Sequence, residues 1–330
     1  MKVLFIGGTG NISTAVSRLA IEKGFELYLL NRGQLQPNPP GSHSLKADIN
    51  KPDDIRAALR DLQFDAVVDW IAFTPDQIER DLALFKGRTR QFIFISSASA
   101  YQKPPTHHLI KETTPLQNPF WDYARNKIAC EERLMRAYRE ENFPVTIVRP
   151  SFTYERYFPV AIGGFACYTL ADRLKRGKPI IVHGDGSSLW VMTHAEDFGR
   201  GFLGLIGNPR AIGQAFHITS DEVLTWNQIY QTIAESLGVK ANILHIPSDF
   251  IAQVSPELGG TLLGDKTWSA IFDNSKIKTF MPGFQAVIPF REGTRRVAAW
   301  YDTDNKRKRV DESVNREMDK ILKAYTGRTT

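Results

Sequence analysis

The segment that most limits what this chain can become is Lys2 to Gly10, where the apolar run Val3-Leu4-Phe5-Ile6 passes straight into Gly7-Gly8-Thr9-Gly10 and then, from Asn11, into a helical pattern. A strand, a glycine turn and a helix in that order set backbone N–H groups at a helix N-terminus, and missing Cβ atoms let an anion come close. The spacing is Gly7-x-x-Gly10-x-x-Ser13, with a small serine where a third glycine might stand. Directly after the first strand, this is the phosphate turn of a dinucleotide site. Gly7, Gly8, Thr9, Gly10, Asn11 and Ile12 are therefore expected to cradle a pyrophosphate.

The strand-turn-helix unit then repeats. Strands are expected at residues 2–6, 25–30, 44–47, 65–71, 91–96 and 144–149, separated by patterns such as Ile12, Val16, Leu19, Ala20 and Ile55, Ala58, Leu62 at helical spacing. Strands apolar on both faces and alternating with helices predict a parallel sheet covered on both sides. The expected fold is α/β: a doubly wound parallel Rossmann sheet with a smaller C-terminal α+β substrate lobe. Residues 1–175 are assigned to the dinucleotide-binding domain, with a returning strand (Ala215 to Thr219) and helix (Trp226 to Leu237) near 193–238. Residues 176–192 and 239–330, punctuated by Pro247, Pro256, Gly259-Gly260, Pro282 and Pro289, are assigned to the lobe.

Charge narrows the partners. The 42 Lys and Arg against 36 Asp and Glu leave +6 spread over a large surface, which favours anionic ligands without implying nucleic acid. The one dense basic run, Lys306 to Arg309, sits among Asp302, Asp304, Asp311 and Glu312 and reads as a solvated helix start or linker. Cys130 and Cys167 have no metal or disulfide spacing, and the adjacent His107-His108 make a poor metal pair, so no metal is expected. No apolar stretch approaches the ~20 residues that cross a bilayer. A cytoplasmic protein with no membrane partner is the expectation.

The end of the second strand should meet the adenosine ribose. An acidic residue there would signal NAD; Asn31-Arg32-Gly33 stand instead, and the planar fork of Arg32 suits a 2′-phosphate, so NADP(H) is favoured over NAD. The other reading stacks Arg32 on the adenine of NAD. Asp48 and Ile49 follow the third strand and are placed to cover the adenine, although Asp48 equally suits a turn before Asn50 and Pro52.

Tyr123 and Lys127 open a helix four residues apart, so phenol and ammonium share a face. A nearby ammonium favours the phenolate and fits Tyr123 for proton exchange with a hydroxyl carbon. The fifth strand ends in Ser96-Ser97-Ala98-Ser99-Ala100-Tyr101, where ligands are expected. Ser97, or secondarily Ser99, is placed to hold the reacting oxygen.

These pieces resemble the extended short-chain dehydrogenase/reductases of the NAD-dependent epimerase/dehydratase family: F-I-G-G-T-G-N-I-S at 5–13, F-I-S-S-A-S-A-Y at 94–101, Tyr123 with Lys127, I-V-R-P at 147–150, G-D-G-S at 184–187 and T-H-A-E-D-F at 193–198. The resemblance implies a catalytic triad of Ser97, Tyr123 and Lys127, a nicotinamide flanked by Pro150, Ser151 and Phe152, and a homodimer acting on a sugar-like or nucleotide-sugar substrate. Two departures shape the expectation. Nucleotide-sugar members place a diphosphate-clamping Arg a few residues after G-D-G-S, whereas here Leu189-Trp190-Val191 stand, and Trp190 can stack on a base or sugar but cannot pair with phosphate. Where the 4,6-dehydratases carry Asp-Glu, this chain has Ala98-Ser99, which favours epimerisation or reduction over dehydration. Ser99, Tyr101 and Trp190 are the expected substrate contacts. The aromatics Phe152, Tyr154, Tyr157, Phe158 and Phe165 suit a sugar pocket or a seam between lobes. The second functional reading is a non-catalytic Rossmann-fold protein that binds RNA or a protein partner, since chloroplast stem-loop RNA-binding proteins resemble the chain in the glycine loop and the R-G strand end.

Overall fold

The computed structural model describes residues 1–33, 38–60 and 62–327. Up to residue 216 the strands among them, in chain order, are β1 (Lys2–Ile6), β2 (Glu26–Asn31), β3 (His43–Lys46), β4 (Ala66–Asp69), β5 (Phe92–Ile95), β6 (Leu109–Ile110), β7 (Val145–Val148), β8 (Phe152–Tyr154), β9 (Ile180–His183), β10 (Leu189–His194) and β11 (Ala215–Phe216). Seven of these make one sheet in the order β11-β7-β5-β4-β1-β2-β3, and every neighbouring pair is parallel. The expected doubly wound Rossmann sheet is present.

Side-chain alternation builds the two cores. Val3, Phe5, Leu27, Leu29, Val68 and Ile93 point to one face, where they meet Val16 and Ala20 of α1 (Ser13–Glu22) and Phe198 and Phe202 of a later helix. Leu4, Ile6, Leu30, Val67, Phe92 and Phe94 point to the other face. There they meet Ile55 and Leu59 of α2 (Pro52–Leu59), Ile78 and Leu82 of α3 (Pro75–Phe85), and Cys130 and Leu134 of α4 (Asp122–Glu141). Each such side chain contributes roughly 1.5–3 kcal/mol by leaving water, which is why a polar residue has no place in the middle of these strands. Helix α3 starts sharply because Pro75 follows Thr74, which forms a reciprocal capping box with Gln77.

Two strands stop two or more residues short of their expected ends, each for a local reason. β4 stops at Asp69 rather than residue 71 because the Asp69 carboxylate takes the N–H groups of Ile71 at 2.6 Å and Ala72 at 2.9 Å. β11 ends at Phe216 rather than residue 219 because the next N–H groups are claimed by side chains, His217 by Glu112 at 3.4 Å and Thr219 by Asn274 at 3.2 Å.

The C-terminal half adds a third core around β9, β10 and the helix Trp226–Ser236, with Trp190, Trp226, Tyr230 and Ile246 inside it. Leu258, Thr261, Asp265 and Lys266 of this half line the same cavity as the segments that follow β1, β4, β5 and β7. No helix among the described residues is long and apolar enough to cross a membrane.

Candidate active site

The segments following β1, β2, β3, β5 and β7 line one cavity of about 950 Å³. Wound sheets leave such a crevice where strand order reverses, here between β1 and β4.

At one end lies the glycine turn. Gly7 and Gly8 have φ of +95° and +90°, and a Cβ on Gly8 would stand 2.7 Å from Leu29 Cδ2, so the turn admits no side chain there. Ser13 Oγ accepts from Gly10 N at 2.8 Å, and the Ser17 hydroxyl donates to Gly8 O at 2.9 Å, which fixes the loop from below. Helix α1 has no side-chain cap. Among the described residues, the N–H groups of Thr9, Asn11 and Ile12 have no protein acceptor. Unclaimed donors at a helix N-terminus fit a pyrophosphate.

Asn31, Arg32, Asp48 and Ile49 also line the cavity. The Asn31 side chain accepts from Gly33 N at 2.9 Å and donates to Asn38 at 2.8 Å, while Arg32 is exposed and has no ion-pair partner among the described residues. Lys46 runs past Gly33, so a second cation accompanies Arg32. Asp48 does both things expected of it: it borders the cavity and accepts from Asn50 N at 3.0 Å.

The middle holds Ser97, Ser99, Tyr123 and Lys127, with Pro150, Ser151 and Phe152 beside them. The Ser99 hydroxyl donates to Ser97 Oγ at 2.9 Å, which orients the Ser97 oxygen. Tyr123 is half-buried between Trp121, at a ring separation of 4.7 Å, and Phe73, at 6.0 Å. Burial raises the phenol above its ordinary value, and the Ser97 hydroxyl draws it partly back.

Lys127 is 1% exposed. Its Nζ donates to the carbonyls of Ala72 and Ile95, both at 2.7 Å, and lies 5.9 Å from the Tyr123 ring centre and 4.5 Å from that of Phe73. Two of three N–H groups are thus taken by main chain at the ends of adjacent strands, leaving one. Burial lowers this ammonium to about 8, against the charge of nearby Asp69.

An amine lowered from 10.5 to about 8 binds fewer protons folded than unfolded between those values, so the stability it costs at neutral pH is recovered as pH rises through that window. The stability difference between wild type and Lys127→Met is expected to shift in favour of wild type by ~1–3 kcal/mol between pH 7 and 10. Denaturant melts of both proteins across that range check this, and a flat difference would contradict the assignment.

Two expected contacts are not in the cavity. Trp190 is 1% exposed in the C-terminal core, where its indole N–H donates to the carbonyls of Lys266 at 3.1 Å and Trp268 at 2.9 Å, so its ring has no face for a ligand. Tyr101 is wholly buried, its hydroxyl 3.0 Å from His217 Nδ1 and its ring under the Arg149 guanidinium at 4.8 Å. Of the aromatic cluster, Tyr154 and Phe158 are core, whereas Phe152 and Phe165 border the cavity.

Sequence reasoning missed several residues that line or back the cavity. Asp69 accepts two N–H groups as above and is approached by Arg80 Nη2 at 3.5 Å, so it stands behind Lys127 as a counter-charge. The sequence did not mark this, because the strand expected at 65–71 puts Asp69 inside it rather than at its end. Asp265 and Lys266 come from a single π-helical turn, Leu262–Lys266. That turn reaches the site because Gly260 and Gly264 leave room for Trp121, a Cβ on either falling 2.8 or 2.7 Å from it. Asn118 then ties Gly264 O at 2.7 Å to Ser99 O at 2.8 Å.

Residues 3–219 match the NAD dependent epimerase/dehydratase family. The 2′-dehydrokanamycin reductase of Streptomyces kanamyceticus is 25% identical over 292 residues, 86% of this chain and 80% of that protein. The chloroplast stem-loop binding protein of 41 kDa b from Arabidopsis thaliana is 26% identical over 268 residues, 76% of this chain and 67% of its own. Among solved structures, an epimerase from Methanothermobacter thermautotrophicus superposes with a TM-score of 0.76 at 17% identity, covering 96% of this chain and 94% of that one.

Proposed function

Because the chain belongs to the NAD-dependent epimerase/dehydratase family, we propose that it is a nicotinamide-dependent reductase or epimerase of a hydroxyl-bearing, sugar-like substrate, with NADP(H) as the preferred cofactor. The observation that carries this reading is the convergence of Ser97, Tyr123 and Lys127 with the Gly7–Gly10 turn on one cavity. A relative named as a reductase of 2′-dehydrokanamycin agrees with it.

Bound nicotinamide would supply or accept the hydride. The protein's own groups manage the proton. In the reducing direction Tyr123 Oη gives its proton to the substrate oxygen, which Ser97 Oγ holds in place. The Lys127 ammonium, fixed by the Ala72 and Ile95 carbonyls, offsets the charge left on the phenolate. In the oxidising direction the same groups act in reverse. Pro150, Ser151 and Phe152 shield the reacting face from water. The intact pair Tyr123 and Lys127, buried where chemistry needs them, favours an enzyme over the RNA- or protein-binding reading.

Thermal stabilisation of the purified protein by NADPH and NADH tests the cofactor directly, since a ligand bound only by the folded state raises its melting temperature. NADPH is expected to stabilise more than NADH. Arg32→Asp should cut NADPH affinity roughly 10- to 100-fold, the worth of one charge-assisted pair, and leave NADH little changed. An unaltered preference in that variant would remove Arg32 from the proposal.

A further inference from the structure

One residue of the cavity wall is held more tightly than its neighbours. The main-chain carbonyl of Lys266 accepts three ring N–H groups: Trp190 Nε1 at 3.1 Å, Trp226 Nε1 at 3.0 Å and His183 Nε2 at 2.9 Å. All three rings are 1% exposed or less. Burial lowers the His183 imidazole to about 4, so it stays neutral and donates from Nε2. The side chain is fixed as well. Lys266 Nζ lies 4.5 Å from the ring centres of both Phe152 and Trp190 and 2.5 Å from Asp265 Oδ2. An ammonium between two aromatic faces and a carboxylate keeps one orientation, on the wall of a cavity that Tyr123 also lines.

A second cation stands behind it. Lys103 is 2% exposed and, among the described residues, its ammonium has neither a hydrogen-bond nor an ion-pair partner. It is close enough for the charges of both Asp265 and Lys266 to act on it. The part-buried Lys266 ammonium is thus paired with Asp265, while the Lys103 ammonium nearby is left without a carboxylate of its own. An uncompensated buried charge is costly unless an opposite charge arrives with the ligand.

We infer that Lys266 is the specificity-determining residue of this site and that, backed by Lys103, it takes the carboxylate of an acidic hydroxy or keto substrate. The inference rests on the oxidoreductase reading for the site's use, not for the binding it describes. Asp265 leaves Lys266 two N–H groups to offer, enough for a carboxylate. Phe152 carries the same ammonium on its ring, so the acid would be seated beside the residues proposed to flank the nicotinamide.

The test is equilibrium binding, followed by tryptophan fluorescence and melting temperature, of three acid and neutral pairs: D-glucuronate and D-glucose, L-lactate and 1,2-propanediol, benzoate and benzyl alcohol. Titrations run with and without saturating NADPH. Wild type is expected to bind at least one acid roughly tenfold or more tightly than its neutral partner. Lys266→Met should erase that preference, Lys266→Arg should keep most of it, and Asp265→Asn should tighten acid binding several-fold by freeing the ammonium. A merely structural ion pair would instead weaken in both Lys266→Met and Asp265→Asn. Equal binding within all three pairs, or an acid preference surviving in Lys266→Met, overturns the inference. Failure of wild type to bind NADPH would count against the oxidoreductase reading and leave the acid preference measurable.

Discussion

Tyr123→Phe is expected to lower turnover roughly 10²- to 10⁴-fold while leaving NADPH affinity within about twofold of wild type, the range associated with loss of one positioned proton donor. The substitution removes one oxygen and little else. The ring is wedged between Trp121 and Phe73, and phenylalanine fills the same space, so neither the helix start nor the glycine turn should move. The pH profile gives a second readout. Because burial raises the Tyr123 phenol, oxidation of an alcohol requires the less abundant phenolate, and its rate should climb with pH. Lys127→Met should push that climb to higher pH by removing the ammonium that favours the phenolate. Steady-state rates in both directions with any substrate that turns over decide the matter. More than about a tenth of wild-type activity in Tyr123→Phe would contradict the assigned role.

Glu131→Ala should produce the largest loss of stability, about 3–5 kcal/mol, the usual effect of stranding a buried partner charge. Arg149 reaches Glu131 with Nη2 at 2.6 Å to Oε2 and with Nε at 3.0 Å to Oε1, and the Ser96 hydroxyl donates to Oε1 at 2.5 Å. The two charged side chains are only 6% and 3% exposed. Removing the carboxylate leaves the guanidinium in the core with the Glu112 carbonyl at 3.2 Å and the face of Tyr101. Site geometry should suffer too, since Ser96 precedes Ser97 and Arg149 precedes Pro150. Denaturant melts measure the loss. Removing both charges, as in Glu131→Ala with Arg149→Met, should recover part of it, because no buried charge is then unpaired. A loss below about 1 kcal/mol in the single variant would mean that water reaches the guanidinium after all.

The sheet was legible because its signals are local. Four-residue apolar runs, each followed by a turn and a helical stripe, specify a doubly wound sheet almost regardless of what comes later. The cofactor turn and the Tyr123–Lys127 pair were legible for the same reason: their geometry lies within one turn of one element. Trp190 and Tyr101 were misplaced because an aromatic residue near a strand end carries no mark of which side it faces. Their partners, Lys266 and Trp268 for one and His217 and Arg149 for the other, lie far along the chain. Asp265 and Lys266 were invisible for a further reason. A π-helical turn breaks the 3.6-residue period on which helix reading depends, and contacts with Trp121 and Asn118, distant in the chain, bring it to the site.

The anchoring of Lys266 has an evolutionary corollary. Its position is set by rings at residues 183, 190 and 226, none of which borders the main cavity. Laboratory selection for a new ligand range should therefore accumulate changes deep in the interior, at positions a survey of contact residues would pass over. Those changes should show strong epistasis with position 266 and little with the proton-handling tyrosine.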